Sequence, residues 1–233
     1  MNVICIMTLI KGRTMNQNVI TTVDVVLLTL AGKALNVVLM KRDREPFKNQ
    51  YALPGGYIRP DEDVDVTAAA KRVLKQKTGI VSPYLEQLYT FSGGARDLRG
   101  WSISVAHYAL VNESALRKGG NESFFLFPAD NVPPLPFDHN KIIEFALERL
   151  RNKSSYSSLP SYLLPPQFTL TELQHTYELI MGTKLDKSVF RRKLSDLDFL
   201  EPVKNAIKMG KHRPAQLYKI KKDNRLVIFD RTV

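Results

Sequence analysis

The sequence predicts an α+β chain in two unlike parts: a strand-rich region with two helices, then a helix-turn-helix with a hairpin behind it. Three observations predict it. Before residue 152, β-branched runs alternate with stretches of helical spacing. The tract Asn152 to Pro160 has the Ser-rich composition of a linker. Beyond it, two capped helices and a basic hairpin follow one another. At about 150 residues per domain, 233 residues hold one large domain or two small ones, and 44% hydrophobic against 24% charged residues argues against a disordered chain.

The first part begins with Val19 to Leu30, rich in β-branched residues, and its partner strand Ala34 to Arg42, joined by a turn at Gly32-Lys33. Tyr51-Ala52-Leu53 leads into a sharp break at Pro54-Gly55-Gly56. Val64 to Lys77 predicts a helix, with alanines in its middle and Gly79 just past its end. Tyr84 to Phe91, Trp101 to Val111 and Ser123 to Phe127 read as further strands, with Trp101 and Tyr108 packed in the sheet. Asn140 to Arg151 carries apolar residues at helical spacing (Ile142, Ile143, Ala146, Leu147, Leu150). Asp138 is a plausible cap for it, and His139 could also serve there. The linker composition places a boundary between residues 1–152 and 153–233.

In the second part, Thr169-Leu170-Thr171-Glu172 matches a capping box. Leu170, Leu173, Tyr177 and Ile180 then share a face, and Gly182 stops the helix. Asp186 caps a second helix whose buried face is expected at Val189, Phe190, Leu194 and Leu197. Its other face holds Lys187, Ser188, Arg191, Arg192 and Lys193. Phe199 to Val203 and Gln216 to Ile220 read as a hairpin with a basic tip that includes Lys211 and Arg213. Capped helix, tight turn, basic helix and basic hairpin, in that order, form a winged helix, which points to DNA.

The charge agrees. Thirty-four Lys and Arg against twenty-three Asp and Glu give +11, a sign of a polyanionic partner. Lys187 to Lys222 alone holds eleven basic and three acidic residues, so the surplus is local. A membrane surface is the weaker partner, because the basic helix carries Asp196 and lacks a broad apolar face. No apolar run reaches the roughly 18 residues of a membrane span. The opening apolar stretch from Met1 lacks the basic start and cleavage site of a signal peptide and reads as an extra strand or a frayed tail, with Met15 as an alternative start. Cys5 is the single cysteine, which fits a reducing cytoplasm.

Pro54-Gly55-Gly56 followed by a helix ending Thr78-Gly79-Ile80 resembles a Nudix box. Gly56, five residues and Glu62 match it, as do Arg72 and Leu74. Two departures stand out. Nine residues, not seven, separate Glu62 from Arg72, and the three family glutamates fall on Val73, Gln76 and Lys77. In the family these carboxylates hold Mg²⁺ on a diphosphate, and Mg²⁺ demands hard oxygen donors. A valine, a neutral amide and a cation imply binding without hydrolysis: no metal site, no catalytic residue, and Lys77 taking over part of the metal's charge. Asp61, Glu62, Asp63 and Asp65 are the nearby carboxylates from which a hydrolase with a displaced metal site would have to be built. Arg42, Arg96, Arg99, Phe137 and His139 are further candidates to face such a ligand, since arginine pairs with phosphate and an aromatic ring stacks on a base.

The whole chain resembles the Nudix-related transcriptional regulator (NrtR) family, on Arg96-Asp97-Leu98-Arg99-Gly100, Pro136-Phe137-Asp138-His139, Leu163 to Leu170, Phe190-Arg191-Arg192-Lys193 and Arg213 to Tyr218. The resemblance implies a Nudix-like α/β/α sandwich followed by a C-terminal winged helix-turn-helix domain. It implies a homodimeric repressor of NAD-metabolism genes that binds a palindromic operator in double-stranded DNA and is released by ADP-ribose. It further implies Lys187, Ser188, Arg191, Arg192, Lys193, Lys211 and Arg213 as DNA contacts, ADP-ribose as effector, and no cofactor.

Overall fold

The computed structural model describes residues 19–119, 124–209, 214–221 and 226–229. Strand β1 (Ile20–Ala31) is the spine of a seven-stranded sheet. It turns through Gly32 and Lys33, both at positive φ, into antiparallel β2 (Ala34–Lys41). The short β3 (Tyr51–Ala52) extends β2, and β4 (Gly55–Tyr57) pairs with β1. On the other side β1 runs parallel to β6 (Ser102–Leu110), which is antiparallel to β5 (Tyr84–Gly93). β7 (Phe124–Pro128) pairs with β2.

Helices cover both faces of this sheet. α1 (Val66–Thr78) is capped by Asp65, which accepts from the Ala68 amide, and ends on Gly79 in the left-handed conformation that glycine adopts without cost. Its Ala69, Ala70, Val73 and Leu74 pack on Val23, Val25 and Leu27, joined by Leu116 from a short helix, α2 (Glu113–Gly119). α3 (His139–Ser154) covers the opposite face with Ile142, Ile143, Ala146 and Leu150. Each fully buried Ile or Leu contributes about 1.5 to 3 kcal/mol. The result is an α/β/α sandwich.

The Ser-rich tract is packed rather than extended. α3 runs through the boundary expected at 152/153, and a 3₁₀ turn (Leu159–Leu163) follows it. Leu159 and Leu163 are buried in the same core as α3. The serines are spent on the backbone: Ser154 Oγ donates to Leu150 O, Ser157 Oγ to Lys153 O and Ser161 Oγ to Ser158 O. Such bonds let a polar sequence pack without leaving orphaned groups. Trp101 also departs from expectation. It stands just outside β6 and is 47% exposed, whereas Tyr108 is buried as expected.

The second part is a winged helix. α4 (Leu170–Met181) has both bonds of the capping box between Thr169 and Glu172, and Gly182 closes it at φ 69°. α5 (Lys187–Asp196) is capped by Asp186, which accepts from the amides of Ser188 and Val189. Phe168, Leu173, Tyr177, Phe190, Leu194 and Phe199 form its core. β8 (Leu200–Lys208) and β9 (Ala215–Ile220) make the hairpin. Val189, expected in that core, is 40% exposed, because the buried face is narrow and Phe190 and Leu194 fill it. The two parts touch: Ile180 of α4 joins the core under α3, and the buried Tyr177 hydroxyl donates to Ser157 O at 2.8 Å.

Candidate ligand cleft and nucleic-acid interface

The cleft starts from a charge in an apolar strand. Asp24 lies in the middle of β1, 6% exposed, opposite Gly55 of β4. A Cβ on Gly55 would stand 2.1 Å from Asp24 Oδ1, so only glycine lets β4 lie here. Asp24 accepts from Ser104 Oγ at 2.6 Å and faces His139 Nε2 at 3.6 Å. The Leu53 amide donates to His139 Nδ1 at 3.1 Å, which fixes the ring. Burial pushes the Asp24 carboxyl up, but His139, Ser104 and Arg96 outweigh it and hold it below the ordinary value.

Around this centre opens a cleft of about 390 Å³. Seven basic residues line it (Arg42, Arg44, Arg59, Arg72, Lys77, Arg96, Arg99) against four acidic ones. Six of the seven expected ligand residues meet there: Arg42, Lys77, Arg96, Arg99, Phe137 and His139. Phe137, at φ 60°, lies under the Arg42 guanidinium at 4.9 Å and against the edge of Phe47 at 5.1 Å. Arg99 is neutralised by buried Asp97 at 2.6 Å and leans on the Tyr57 ring. Arg42 donates to Pro46 O at 2.9 Å, and among the described residues no carboxylate pairs with it. Burial lowers its affinity for its proton, and the neighbouring Arg99 adds to that. An uncompensated, half-buried guanidinium beside an aromatic ring is suited to an anion attached to a base or sugar.

Glu62 does not belong to this group. It is exposed and grips Arg59 at 3.0 Å, outside the residues that line the cleft. The buried partner of Arg72 is Asp63, with bonds of 2.7 Å to each carboxylate oxygen and a further bond from the Arg59 amide. The Arg72 bonds, ahead of all else, hold the Asp63 carboxyl down to about 2. Glu62 stands farther from the same guanidinium, at 3.9 Å. Asp24 was missed, although an aspartate inside a run of β-branched residues is a visible signal. Val73 and Gln76 line the cleft beside Lys77. Among the described residues no group of three or more His, Cys, Asp or Glu is arranged to hold a metal ion.

The second surface is the outer face of α5. Lys187, Ser188, Arg191 and Arg192 are exposed, and among the described residues no carboxylate pairs with the three cations. Lys193 is half-buried and turned towards a neighbour. Lys211 and Arg213 lie outside the described residues. Elsewhere the basic surplus is partly spent: Lys208 pairs with Glu172, Lys219 with Glu201 and Lys221 with Asp198. The three unpaired cations of α5 thus stand on the helix that a winged helix places in the major groove. No helix of the described residues is long and apolar enough to cross a membrane.

Known proteins resemble both parts of the chain. The Nudix domain family matches residues 20–145, and the NrtR DNA-binding winged helix domain matches residues 160–220. The chain is 39% identical over 202 residues to the ADPR responsive transcriptional repressor NtrR of Acinetobacter baylyi, spanning 85% of this chain and 80% of that protein. The crystal structure of Shewanella oneidensis NrtR complexed with a 27mer DNA superposes with a TM-score of 0.85 at 36% identity, covering 91% of this chain and 99% of the other. The Nudix domain of the same Shewanella protein, complexed with ADP ribose, gives a TM-score of 0.52 at 38% identity, covering 57% of this chain and 88% of that one.

Proposed function

This chain belongs to the NrtR family of Nudix-related transcriptional regulators, and we propose that it is a repressor that leaves its operator when ADP-ribose fills the cleft of the Nudix domain. The observation that carries the reading is the cleft itself. Arginines and an aromatic ring converge on Asp24 and His139, and in this reading Val73, Gln76 and Lys77 take the places where a hydrolase needs carboxylates. A diphosphate meets cations there and no metal-activated water, so the domain binds its ligand without hydrolysing it. The DNA-bound and ADP-ribose-bound relatives support the two halves of the reading. The DNA contacts in this reading are Lys187, Ser188, Arg191, Arg192, Lys193, Lys211 and Arg213.

The chain acts as a cytoplasmic homodimer on a palindromic site that controls NAD-metabolism genes. A two-fold dimer sets equivalent recognition helices on equivalent half-sites. Release requires that ADP-ribose bind one dimer arrangement better than the other. Gel-shift titration on an operator selected from random DNA tests this. ADP-ribose should shift the operator equilibrium about 5- to 150-fold, the usual range of coupling between sites. Unchanged DNA binding at saturating ligand, or steady AMP release with Mg²⁺, contradicts it.

A further inference from the structure

Arg96 does not stand free in the cleft. Its side chain is 8% exposed and held from three sides. It donates to both oxygens of Asp138 at 3.0 and 2.8 Å and to Ser102 Oγ at 3.1 Å, and Asp24 lies 3.8 Å away. Asp138 occupies the N-cap position of α3, yet its side chain makes no capping bond. An aspartate there ordinarily accepts from the second or third amide of the helix. Those amides belong to Asn140 and Lys141, and among the described residues neither donates a hydrogen bond. Arg96 thus holds the carboxylate. The Asp138 backbone, at φ −105° and ψ 25°, lies outside the extended region that the capping residues Asp65, Thr169 and Asp186 adopt, so capping α3 also turns this residue.

α3 leads from this point to the DNA-binding part. It spans roughly 24 Å for sixteen residues at 1.5 Å each. At its far end Arg149 and Lys153 grip Glu86 at 3.1 and 2.5 Å. Just beyond, Ser157 O accepts from Tyr177 of α4.

We infer that Asp138 is a two-position switch, which holds Arg96 in the empty cleft and caps α3 when an anionic ligand takes Arg96. The inference rests on the reading of the cleft as an effector site. A phosphate offers a guanidinium the same bidentate geometry as a carboxylate, so ligand and Asp138 compete for one fork. The released carboxylate has two unbonded amides next to it. Capping them reseats the first turn of α3, and a packed helix passes that change to the element at its other end. Asp138 is a positioning residue: it acts on DNA through α3 and touches neither ligand nor DNA.

Two measurements on the full chain test it. The first is amide hydrogen exchange of the unaltered protein with and without ADP-ribose. Asn140 and Lys141 should exchange about fivefold more slowly with ligand, the factor a capping bond of ordinary strength supplies. The second is Asp138→Asn, which caps as well as aspartate but carries no charge for Arg96. It should bind ADP-ribose more tightly than the unaltered chain. Saturating ADP-ribose should then change its operator Kd by less than about twofold, against 5- to 150-fold in the unaltered chain. Unchanged exchange, or an unaltered operator response in Asp138→Asn, overturns the switch. If the variant does not fold, the exchange measurement decides alone. ADP-ribose that leaves the unaltered chain's DNA binding untouched sinks the effector reading instead, so the two failures are told apart.

Discussion

Arg42→Ala removes an arginine of the cleft for which no carboxylate partner is found among the described residues. Its neighbours Arg96 and Arg99 are neutralised by Asp138 and Asp97. Arg42 has the Pro46 carbonyl and the face of Phe137. Its charge is therefore available to a diphosphate, and a hydrogen bond between charged groups is worth about 1.5 to 3 kcal/mol. At about 1.4 kcal/mol per tenfold, the ADP-ribose Kd should rise about 10- to 150-fold. The fold should lose little, because a cation–π contact at a partly exposed site is worth about 0.5 to 1 kcal/mol. Calorimetric titration in EDTA reads the Kd and denaturant unfolding reads the stability. Arg42→Lys should recover only part of the affinity, since it restores charge without the planar fork. The difference between Arg42→Ala and the unaltered chain should shrink at high salt. A Kd within about twofold of the unaltered value would refute the assignment of Arg42 to the ligand.

Tyr177→Phe should cost about 1 to 3 kcal/mol in denaturant unfolding, because the buried Ser157 carbonyl loses its donor. Arg191→Ala or Arg192→Ala should cost about 1 to 3 kcal/mol on the selected operator and less on random DNA, measured by gel shift. Lys77→Glu should weaken ADP-ribose binding in EDTA without producing AMP in Mg²⁺, since Val73 and Gln76 still offer no carboxylate. Acid should unfold the chain through its depressed carboxyls. The Lys184 hydrogen bond, then the Leu185 amide, hold Glu178 down to about 2 from an ordinary 4.5. The stability it contributes is present above 4.5 and is lost as pH falls towards 2, so Glu178→Gln should flatten the loss of stability in that window.

Much of this was legible in the residues, and the exceptions have physical causes. Caps read well: Thr169 with Glu172, Asp186, Gly79 and Gly182 all act as their sequence positions suggest, because a cap is a local bond. Six of the seven candidate ligand residues converge, although they come from separate loops and strands. Composition did not reveal how Ser154 to Ser161 pack, where serine oxygens bond backwards to carbonyls and the chain forms helix and turn. Motif spacing misled at Glu62. Arg72 donates its two short bonds to Asp63 and holds Glu62 only at 3.9 Å, a choice made by geometry in space that spacing along the chain does not reveal. Val189 misled through helical periodicity, which marks a face but not how wide a face the core needs. The Arg96–Asp138 pair joins residues 42 apart, and no local pattern announces such a contact.

In this reading ADP-ribose and operator each weaken the other's binding. The most direct measurement is the ADP-ribose Kd in EDTA, with and without saturating operator. Linkage requires operator to weaken ADP-ribose by the same factor by which ADP-ribose weakens operator, about 5- to 150-fold. The account predicts that equality. An ADP-ribose Kd that operator leaves unchanged, or that appears only with Mg²⁺, would contradict it.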